Sequence, residues 1–534
     1  MIKNKESVLF RIKNALPVLL LIFIQCILIV YWGNQKNIGF VDEYFTLEGA
    51  AQGGAGMQYW DTHGEFYGLE HSHAEFNEFL TTHEEDLLIN HGVSKIFNAL
   101  VNCDFYYTCM NLAFSMFPGV LTKWTGIILN LLLFVGAQGL LYKISEVLSD
   151  RNTALLITGI YGFSAGAIST GTYIRCYMML TLYALLVFAV QMYYARGSTY
   201  VQRILSILAN LLLLVIGYKI HQFGVILYGL IIFFSMLNLL IKREKARFLW
   251  MIMGYLIPVI IAFPVVIGKA KSFVSGNVGE VFKNSLLNMN TETFILSLKS
   301  NTGFIINHLF SNIGIFFILC VLLLLIWKQN KEKKAFSKLN INDFEWLVWG
   351  TIIICYLLIL VLGGAEAWRY VSPIYPFIVM FLVLYFRKIN GIINVNDFNT
   401  LLFVGIFVVC SLTSWNDEHI SDLYLDKDEL QYQVNEEYED VNGIMIHHGL
   451  SQNWLYEAAS YWPEGSNVLV TTEAGLYDGS FDYARDDDRI LLWLSIDYNN
   501  EEIIDLFKAC TDYQKIRLAF TTDSLRVYEC NKEG

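Results

Sequence analysis

Charged residues are scarce in this sequence. They make up 16% of the 534 residues, whereas 55% are hydrophobic. The apolar residues come in runs close to the roughly 20 residues that a helix needs to cross the hydrocarbon core of a bilayer. No soluble fold needs so many such runs. Because only a helix satisfies every backbone polar group within one segment, we expect a polytopic α-helical membrane protein.

Three further features are missing, and each narrows the class of protein. No basic stripe is present, which excludes nucleic acid as a partner. No small-x-small cleavage site follows Val30, so the first apolar run, from Leu16 to Trp32, is expected to stay in the membrane rather than leave as a signal peptide. No internal repeat is present, which makes a transporter or flippase of lipid-linked sugars the least favoured hypothesis.

The apolar runs predict about eleven membrane spans and an orientation. The N-terminal segment and the short loops on one side of the membrane carry 19 Lys and Arg residues, whereas the loops on the other side, two of which are long, carry 10. This asymmetry predicts a multi-pass plasma-membrane protein with a cytoplasmic N-terminus. The loops 33–122 and 269–303 and the tail from Trp415 then face outward. The predicted spans are 14–32, 123–142, 153–172, 177–195, 204–219, 223–241, 248–268, 304–327, 346–363, 371–386 and 398–414.

The tail differs from the rest of the chain in charge. Residues 1–414 hold 29 Lys and Arg against 23 Asp and Glu, whereas residues 415–534 hold 8 against 26. We therefore predict a transmembrane domain over 1–414 and an acidic, extracytoplasmic, soluble α/β domain over 415–534. Local patterning predicts its strands at 467–472, 490–496, 515–521 and 525–528, and a helix at 501–509.

Two adjacent acids, Asp42 and Glu43, follow the first span on the outer side of the membrane. One interpretation is a functional carboxylate pair, and the other is a pair of interfacial acids that cap a helix together with Thr46. Position alone does not decide between them.

Cationic and aromatic residues collect at the outer ends of later spans. Lys219 and His221 lie between the fifth and sixth spans, and the other members are Arg175 with Tyr177, and Arg369 with Tyr370. An ionisable residue at such depth indicates function, although an arginine can also snorkel to lipid headgroups. Because arginine binds phosphate oxygens with two parallel hydrogen bonds, a phosphate-bearing lipid is the ligand that this group favours.

The first outer loop is rich in histidine, but its spacing matches no recognised metal site. The histidines are His63, His71, His73, His83 and His91. We therefore assign no metal ligand and leave a divalent cation open as a cofactor. A solvated amphipathic surface helix is favoured over a metal site, and Glu75–Leu80 and Asp86–Leu100 have the spacing of helices that could lie along the membrane interface. The outward cysteines allow two disulfides, Cys103–Cys109 and Cys510–Cys530, without requiring either.

Several short motifs occur in an order that resembles the GT-C class of membrane glycosyltransferases. They are Val41-Asp42-Glu43-Tyr44, Phe117-Pro118-Gly119 with Lys123-Trp124-Thr125-Gly126, Tyr173-Ile174-Arg175-Cys176-Tyr177-Met178, Gly217 through His221, and Arg369-Tyr370-Val371-Ser372-Pro373-Ile374-Tyr375-Pro376. More narrowly, the chain resembles the bacterial relatives of protein O-mannosyltransferases (glycosyltransferase family 39-like) and the aminoarabinose transferases. The resemblance covers most of residues 1–390.

The resemblance implies an inverting enzyme. It implies a polyprenyl-phosphate (undecaprenyl-phosphate) sugar as donor and a cell-envelope glycan, teichoic acid or lipid-linked saccharide as acceptor. Asp42 would be the catalytic base, with Glu43 placing its side chain or the acceptor. Arg175, Arg369 and Tyr370 would hold the donor phosphate, and Tyr177, Lys219 and His221 are weaker candidates for the substrate pocket.

The chain departs from the family pattern at Leu100–Tyr107. An acid, a histidine and two prolines of the family stretch are absent there, and Asp104 could supply an acid only from a shifted position. This departure favours the main alternative, a catalytically silent relative that binds polyprenyl-phosphate sugars or partners in an envelope-assembly complex.

Overall fold

The computed structural model describes most of the chain and divides it into two compact units. One comprises residues 1–34 and 127–421, hereafter the helical unit, and the other comprises residues 35–126 and 422–534, hereafter the α/β unit. The α/β unit thus contains residues from the first outer loop as well as from the tail. The described residues are 2–51, 67–196, 199–257, 259–260, 287, 290–311, 343–362, 368–393, 397–447, 453–477, 487–496, 499–522 and 524–532.

The helices, in chain order, are α1 (Ile2–Gln35), α2 (Val41–Ala51), α3 (His73–Leu80), α4 (Val93–Asn102), α5 (Phe105–Phe114), α6 (Trp124–Leu148), α7 (Arg151–Gly162), α8 (Ala165–Thr172), α9 (Tyr177–Arg196), α10 (Tyr200–Ile220), α11 (Gln222–Ile241), α12 (Thr291–Leu309), α13 (Asp343–Leu362), α14 (Trp368–Val371), α15 (Tyr375–Ile393), α16 (Asp397–Ser414), α17 (Lys427–Tyr438), α18 (Asn453–Ala459), α19 (Glu473–Tyr477) and α20 (Asn500–Cys510). The strands are β1 (Leu69–Ser72), β2 (Gly443–His447), β3 (Asn467–Thr472), β4 (Arg489–Ser495), β5 (Tyr513–Thr521) and β6 (Leu525–Lys532).

The helical unit has the apolar helices of a polytopic membrane protein. Among the described residues, five helical segments are long and apolar enough to cross a membrane, and the bent pair α7–α8 makes six if it is counted as one span. The five are Ala15–Gln35, Trp124–Leu148, Tyr200–Ile220, Gln222–Ile241 and Trp368–Arg387. Most of the predicted span 304–327 and part of the predicted span 248–268 lie outside the described residues. The total of eleven therefore stays a prediction.

The predicted third span is wrong as a single helix. The chain bends by 60° between α7 and α8, and Ser164 starts the second helix by accepting a hydrogen bond from the Ala167 N–H at 3.2 Å. Gly162 allows the side chains of Gln25 and Gln138 to approach the bend, because a Cβ there would lie 2.3 Å from Gln25 Cδ and 2.1 Å from Gln138 Nε2. Hydropathy does not register such a break, since both halves are apolar.

A further helix occupies part of a predicted outer loop. Residues 291–303 were assigned to a loop, yet α12 begins at Thr291 behind a capping box in which Asn290 and Thr293 bond to each other's backbone N–H groups. It packs against α8, α13, α14 and α16. This helix brings His308 into the interior of the unit, where it is 1% exposed.

The α/β unit is built on a six-stranded sheet with the order β1-β3-β2-β4-β6-β5. The centre is parallel, since β2 pairs in parallel with both β3 and β4, while β6 and β5 continue it antiparallel. β3 to β6 coincide with the four segments predicted as strands. β1 was not predicted, and it joins the first outer loop to the tail by pairing with β3 from Leu69 opposite Val470.

The two predicted interfacial helices have different surroundings. α4 exposes an apolar stripe, with Val93 82% and Phe97 68% exposed, which is typical of a helix that lies on a membrane. The interface prediction is wrong for Glu75–Leu80, because the apolar side chains of α3 turn into the protein: Phe76 and Leu80 are buried.

Cys103, Cys109, Cys510 and Cys530 all carry thiols, so neither proposed disulfide is present among the described residues.

Replacement of Gly162 by alanine tests the packing at the bend. Gly162→Ala should destabilise the protein by about 1–3 kcal/mol, because the new Cβ must displace two buried glutamine side chains. Gly139→Ala on α6 is the matched control, since nothing lies within 4 Å of its added Cβ. Thermal unfolding in detergent measures both. A melting temperature of Gly162→Ala equal to that of the control would contradict the packing described.

Candidate functional site

A turn between α8 and α9 places Arg175 at the end of two buried helices. The turn is tight, because the Arg175 N–H donates to the Tyr173 carbonyl at 2.7 Å. Asn130 on α6 fixes the same carbonyl with a side-chain hydrogen bond of 2.7 Å. Tyr173 itself is fully buried, whereas Arg175 is half-buried. The sequence between the two helices therefore holds a guanidinium at a defined place near the surface of the helical unit.

Three of the predicted site residues form an aromatic group around this turn. The Tyr177 ring lies 5.9 Å from the ring of His221 and 5.9 Å from that of Tyr370, measured between centroids. Phe223 stacks on Tyr370 at 4.7 Å. We call Arg175, Tyr177, His221, Arg369 and Tyr370 the arginine–tyrosine cluster.

The charges of both arginines of the cluster act on Tyr177. The Arg369 guanidinium lies 5.5 Å from the centre of the Tyr370 ring. A guanidinium over an aromatic ring is attracted by the ring and keeps its charge, and it is more weakly hydrated than an ammonium group. The arrangement therefore concentrates positive charge beside phenol and imidazole groups that can hydrogen-bond to an anion.

His221 and Lys219 stand at the junction of α10 and α11. His221 Nδ1 accepts a hydrogen bond of 3.2 Å from the Phe223 N–H, which caps α11 and leaves the proton of the neutral ring on Nε2. Lys219 lies in the last turn of α10 and is buried. Both residues belong to the helical unit. The His221 ring lies beside the other rings of the cluster.

Sequence reasoning missed two side chains that support the cluster. Trp368 is buried next to Arg369 and packs between the rings of Tyr173, at 5.5 Å, and His308, at 5.3 Å. His308 is fixed on both sides, by Tyr375 Oη at 2.7 Å and Ser421 Oγ at 3.0 Å. His308 lies within the predicted span 304–327, so the signal that could have found it is an ionisable residue inside an apolar run.

The acid pair lies in the α/β unit, in the first turn of α2. Asp42 is half-buried, whereas Glu43 is 0% exposed and forms an ion pair with Lys36, which is also 0% exposed, at 3.0 Å. Lys36 Nζ donates a further hydrogen bond to the Asp422 carbonyl. The Thr46 hydroxyl donates to the Asp42 carbonyl at 2.9 Å instead of capping the helix. The two acids therefore have different environments, with Glu43 enclosed and Asp42 nearer the surface.

Asp104, the shifted acid of the degenerate stretch, is at the N-cap position of α5. Its side chain is exposed and makes no capping hydrogen bond. Its carbonyl accepts from the backbone N–H of Thr108 at 3.0 Å and from the Thr108 hydroxyl at 3.1 Å. Tyr107 of the same helix packs over Gly49 on α2, so this stretch supports the helix that bears the acid pair.

The described histidines of the first outer loop have protein partners, and His63 lies outside the described residues. His71 Nδ1 lies 3.4 Å from a carboxylate oxygen of Glu75, and His73 Nδ1 donates to the Ala459 carbonyl at 3.0 Å. Within the described part of the chain, no group of three or more His, Cys, Asp or Glu side chains is placed to hold a metal ion.

Comparison with known proteins identifies the fold. No protein-family model and no curated protein matches the sequence. Among solved structures, ArnT from Cupriavidus metallidurans bound to undecaprenyl phosphate matches with a TM-score of 0.51 at 10% identity, over 96% of this chain and 97% of that chain. The fold is the GT-C fold. The apo oligosaccharyltransferase of Archaeoglobus fulgidus matches with a TM-score of 0.44 at 10% identity, over 96% of this chain and 74% of that chain.

Removal of the Lys36 charge tests the buried ion pair. Lys36→Met should destabilise the protein by about 3–5 kcal/mol, because it takes away the cation that balances the buried Glu43 carboxylate. Adding Glu43→Gln should restore much of this loss, since the buried charge is then gone as well. Thermal unfolding of the single and double variants measures the effect. A Lys36→Met protein as stable as the wild type would show that the pair is not buried as described.

Proposed function

We propose that this chain is an inverting glycosyltransferase that uses a polyprenyl-phosphate-linked sugar as its donor. The observation that carries the proposal is the arginine–tyrosine cluster inside a GT-C fold, in which the Arg369 guanidinium lies over the Tyr370 ring and the charges of Arg175 and Arg369 both act on Tyr177. One solved structure with that fold, ArnT from Cupriavidus metallidurans, is bound to undecaprenyl phosphate. A lipid phosphate is the anion that two arginines within an apolar helical unit suit best.

The cluster would act on the departing group. When the bond between the anomeric carbon and the phosphate oxygen breaks, the polyprenyl phosphate gains negative charge. Arg175 and Arg369 would stabilise this charge more strongly in the transition state than in the bound donor, which lowers the barrier. The Nε2–H of His221 and the hydroxyls of Tyr177 and Tyr370 are further donors suited to the same oxygens.

Asp42 would act on the attacking group. Its carboxylate would accept the proton of an acceptor hydroxyl while that oxygen attacks the anomeric carbon from the side opposite the phosphate, which inverts the configuration. Asp42 suits this role better than Glu43, because the Glu43 carboxylate is enclosed with Lys36. Glu43 would instead position the first turn of α2.

The acceptor is proposed to carry a sugar hydroxyl on the outer face of the plasma membrane, as a cell-envelope glycan, a teichoic acid or a lipid-linked saccharide. The predicted orientation supports this assignment, since it puts both the acid pair and the outer ends of the spans on that side. The degenerate stretch 100–107 supports the second candidate, a silent relative that binds the donor and does not turn it over. Release of polyprenyl phosphate from a labelled donor by the purified wild-type protein separates these two functions.

Replacement of the candidate base should separate chemistry from binding. Asp42→Asn should reduce sugar transfer by about 10²–10⁴-fold, because the amide cannot accept the hydroxyl proton, and it should leave donor binding intact. Asp86→Asn is the matched control, on an exposed aspartate of the same unit. Transfer is followed with a labelled polyprenyl-phosphate sugar. An Asp42→Asn enzyme with the wild-type rate would remove Asp42 as the base.

Replacement of a cluster arginine should instead weaken the binding of the donor. Arg369→Ala should reduce the affinity for undecaprenyl phosphate by about 1.5–3 kcal/mol, the range for a lost hydrogen bond to a charged group. Arg247→Ala is the control within the helical unit, since that arginine forms a partly exposed ion pair with Glu244, which contributes little. Isothermal titration in detergent gives both affinities. Equal affinities would assign Arg369 to headgroup contact rather than to the donor site.

A further inference from the structure

The segment that carries Asp42 is joined to a second segment far along the sequence. The Asn37 N–H donates to the Leu423 carbonyl at 2.8 Å, and the Asn37 side chain donates to the Tyr424 carbonyl at 3.0 Å. Lys36 adds a hydrogen bond to the Asp422 carbonyl, across 386 residues of sequence. Both segments belong to the α/β unit. We call residues 422–427, which begin the tail within this unit, the tail strap.

Lys427 links the tail strap to residues on both sides of Asp42 in the sequence. Its amine donates to the Ile38 carbonyl at 2.6 Å and to Ser460 Oγ at 2.8 Å, and it also bonds to the Tyr44 hydroxyl. Ile38 precedes Asp42 by four residues and Tyr44 follows it by two. Because the Tyr44 hydroxyl also donates to the Ile38 carbonyl at 2.9 Å, the two flanks of the candidate base share one hydrogen-bonded centre.

Aromatic packing encloses this centre. The Lys427 amine lies 5.1 Å from the ring centroids of both Tyr44 and Tyr461. This desolvation lowers the pKa of Lys427 to about 7, against the opposing attraction of the Glu457, Glu43 and Asp428 carboxylates, and Lys36 lowers it further. Because burial makes the charge of Lys427 costly, its contribution here is the set of hydrogen bonds that its amine makes.

Gly39 shows that the contact is tight. A Cβ at this position would lie 2.3 Å from the Tyr424 ring, a distance that no side chain tolerates without displacing the ring. The strap thus touches the acid segment at residues 36, 37, 38, 39 and 44, on both sides of Asp42. None of these contacts involves the cluster of the helical unit that is proposed to hold the donor.

We propose that the tail strap is the positioning element of the catalytic base, with Lys427 as its central positioning residue. The inference rests on the proposed function and extends it by assigning a role to the acidic tail. A general base must meet the acceptor hydroxyl at hydrogen-bond distance, and a displacement of about 1 Å can reduce the rate by about 10²-fold. By fixing Ile38 and Tyr44, the strap sets where the first turn of α2 begins and hence where the Asp42 carboxylate lies.

The test separates positioning from general stability. Lys427→Met keeps the length of the side chain and removes its donors, and it should lower kcat by about 10–100-fold with the donor KM unchanged. Lys515→Met, on an exposed lysine of β5, should keep the wild-type kcat. Hydrogen exchange should be faster at residues 36–45 of Lys427→Met and unchanged in β2 and β4. A uniform increase across the sheet would indicate a structural role alone and overturn the proposal.

A second variant changes Gly39, the residue of the acid segment that contacts Tyr424 of the tail strap. Gly39→Ala should displace the Tyr424 ring and produce the same loss of kcat at constant donor KM. Wild-type kcat in both Lys427→Met and Gly39→Ala would overturn the positioning role while leaving the proposed function intact. Absence of turnover by the wild type with every labelled polyprenyl-phosphate sugar would instead refute the proposed function, and the strap would then have no base to position.

Discussion

The structure of the acid segment depends on burying one positive and one negative charge together. Lys36 and Glu43 both lose contact with water, and each would cost several kcal/mol in the interior without the other. The Asp422 carbonyl provides a further acceptor for the ammonium group. Because this arrangement needs residues from both ends of the α/β unit, it fixes the path of the chain around α2. The two acids therefore have different roles. Glu43 maintains the structure, and Asp42 remains near the surface.

In the helical unit, aromatic rings lie beside the cationic side chains. Arg175 lies in the turn after Thr172, and Arg369 lies in the short helix α14. Tyrosine, tryptophan and histidine side chains lie close to them. Rings can accept a cation over their faces, as the Tyr370 ring does for Arg369. Arginine is the side chain best suited to bind phosphate oxygens, which is the property a site for a lipid phosphate needs.

The sequence allowed prediction of the features that local chemistry controls. The cluster residues Arg175, Tyr177 and Tyr370 were predicted from their position at the ends of apolar runs, and β3 to β6 from their alternation of side chains. The features that escaped prediction depend on distant partners. β1 has four residues in a histidine-rich loop, and its strand character comes from β3. The Lys36 and Lys427 contacts join segments that no periodicity relates, and the bend between α7 and α8 interrupts a run that is apolar throughout.

We propose that two guanidinium groups in the helical unit hold the donor phosphate. A structure of the protein in lipid nanodiscs with undecaprenyl phosphate bound tests it most directly. We predict phosphate oxygens within about 4 Å, the distance of an ion pair, of both Arg175 and Arg369. Density for the phosphate elsewhere on the protein, with both arginines directed at lipid headgroups, would contradict the claim.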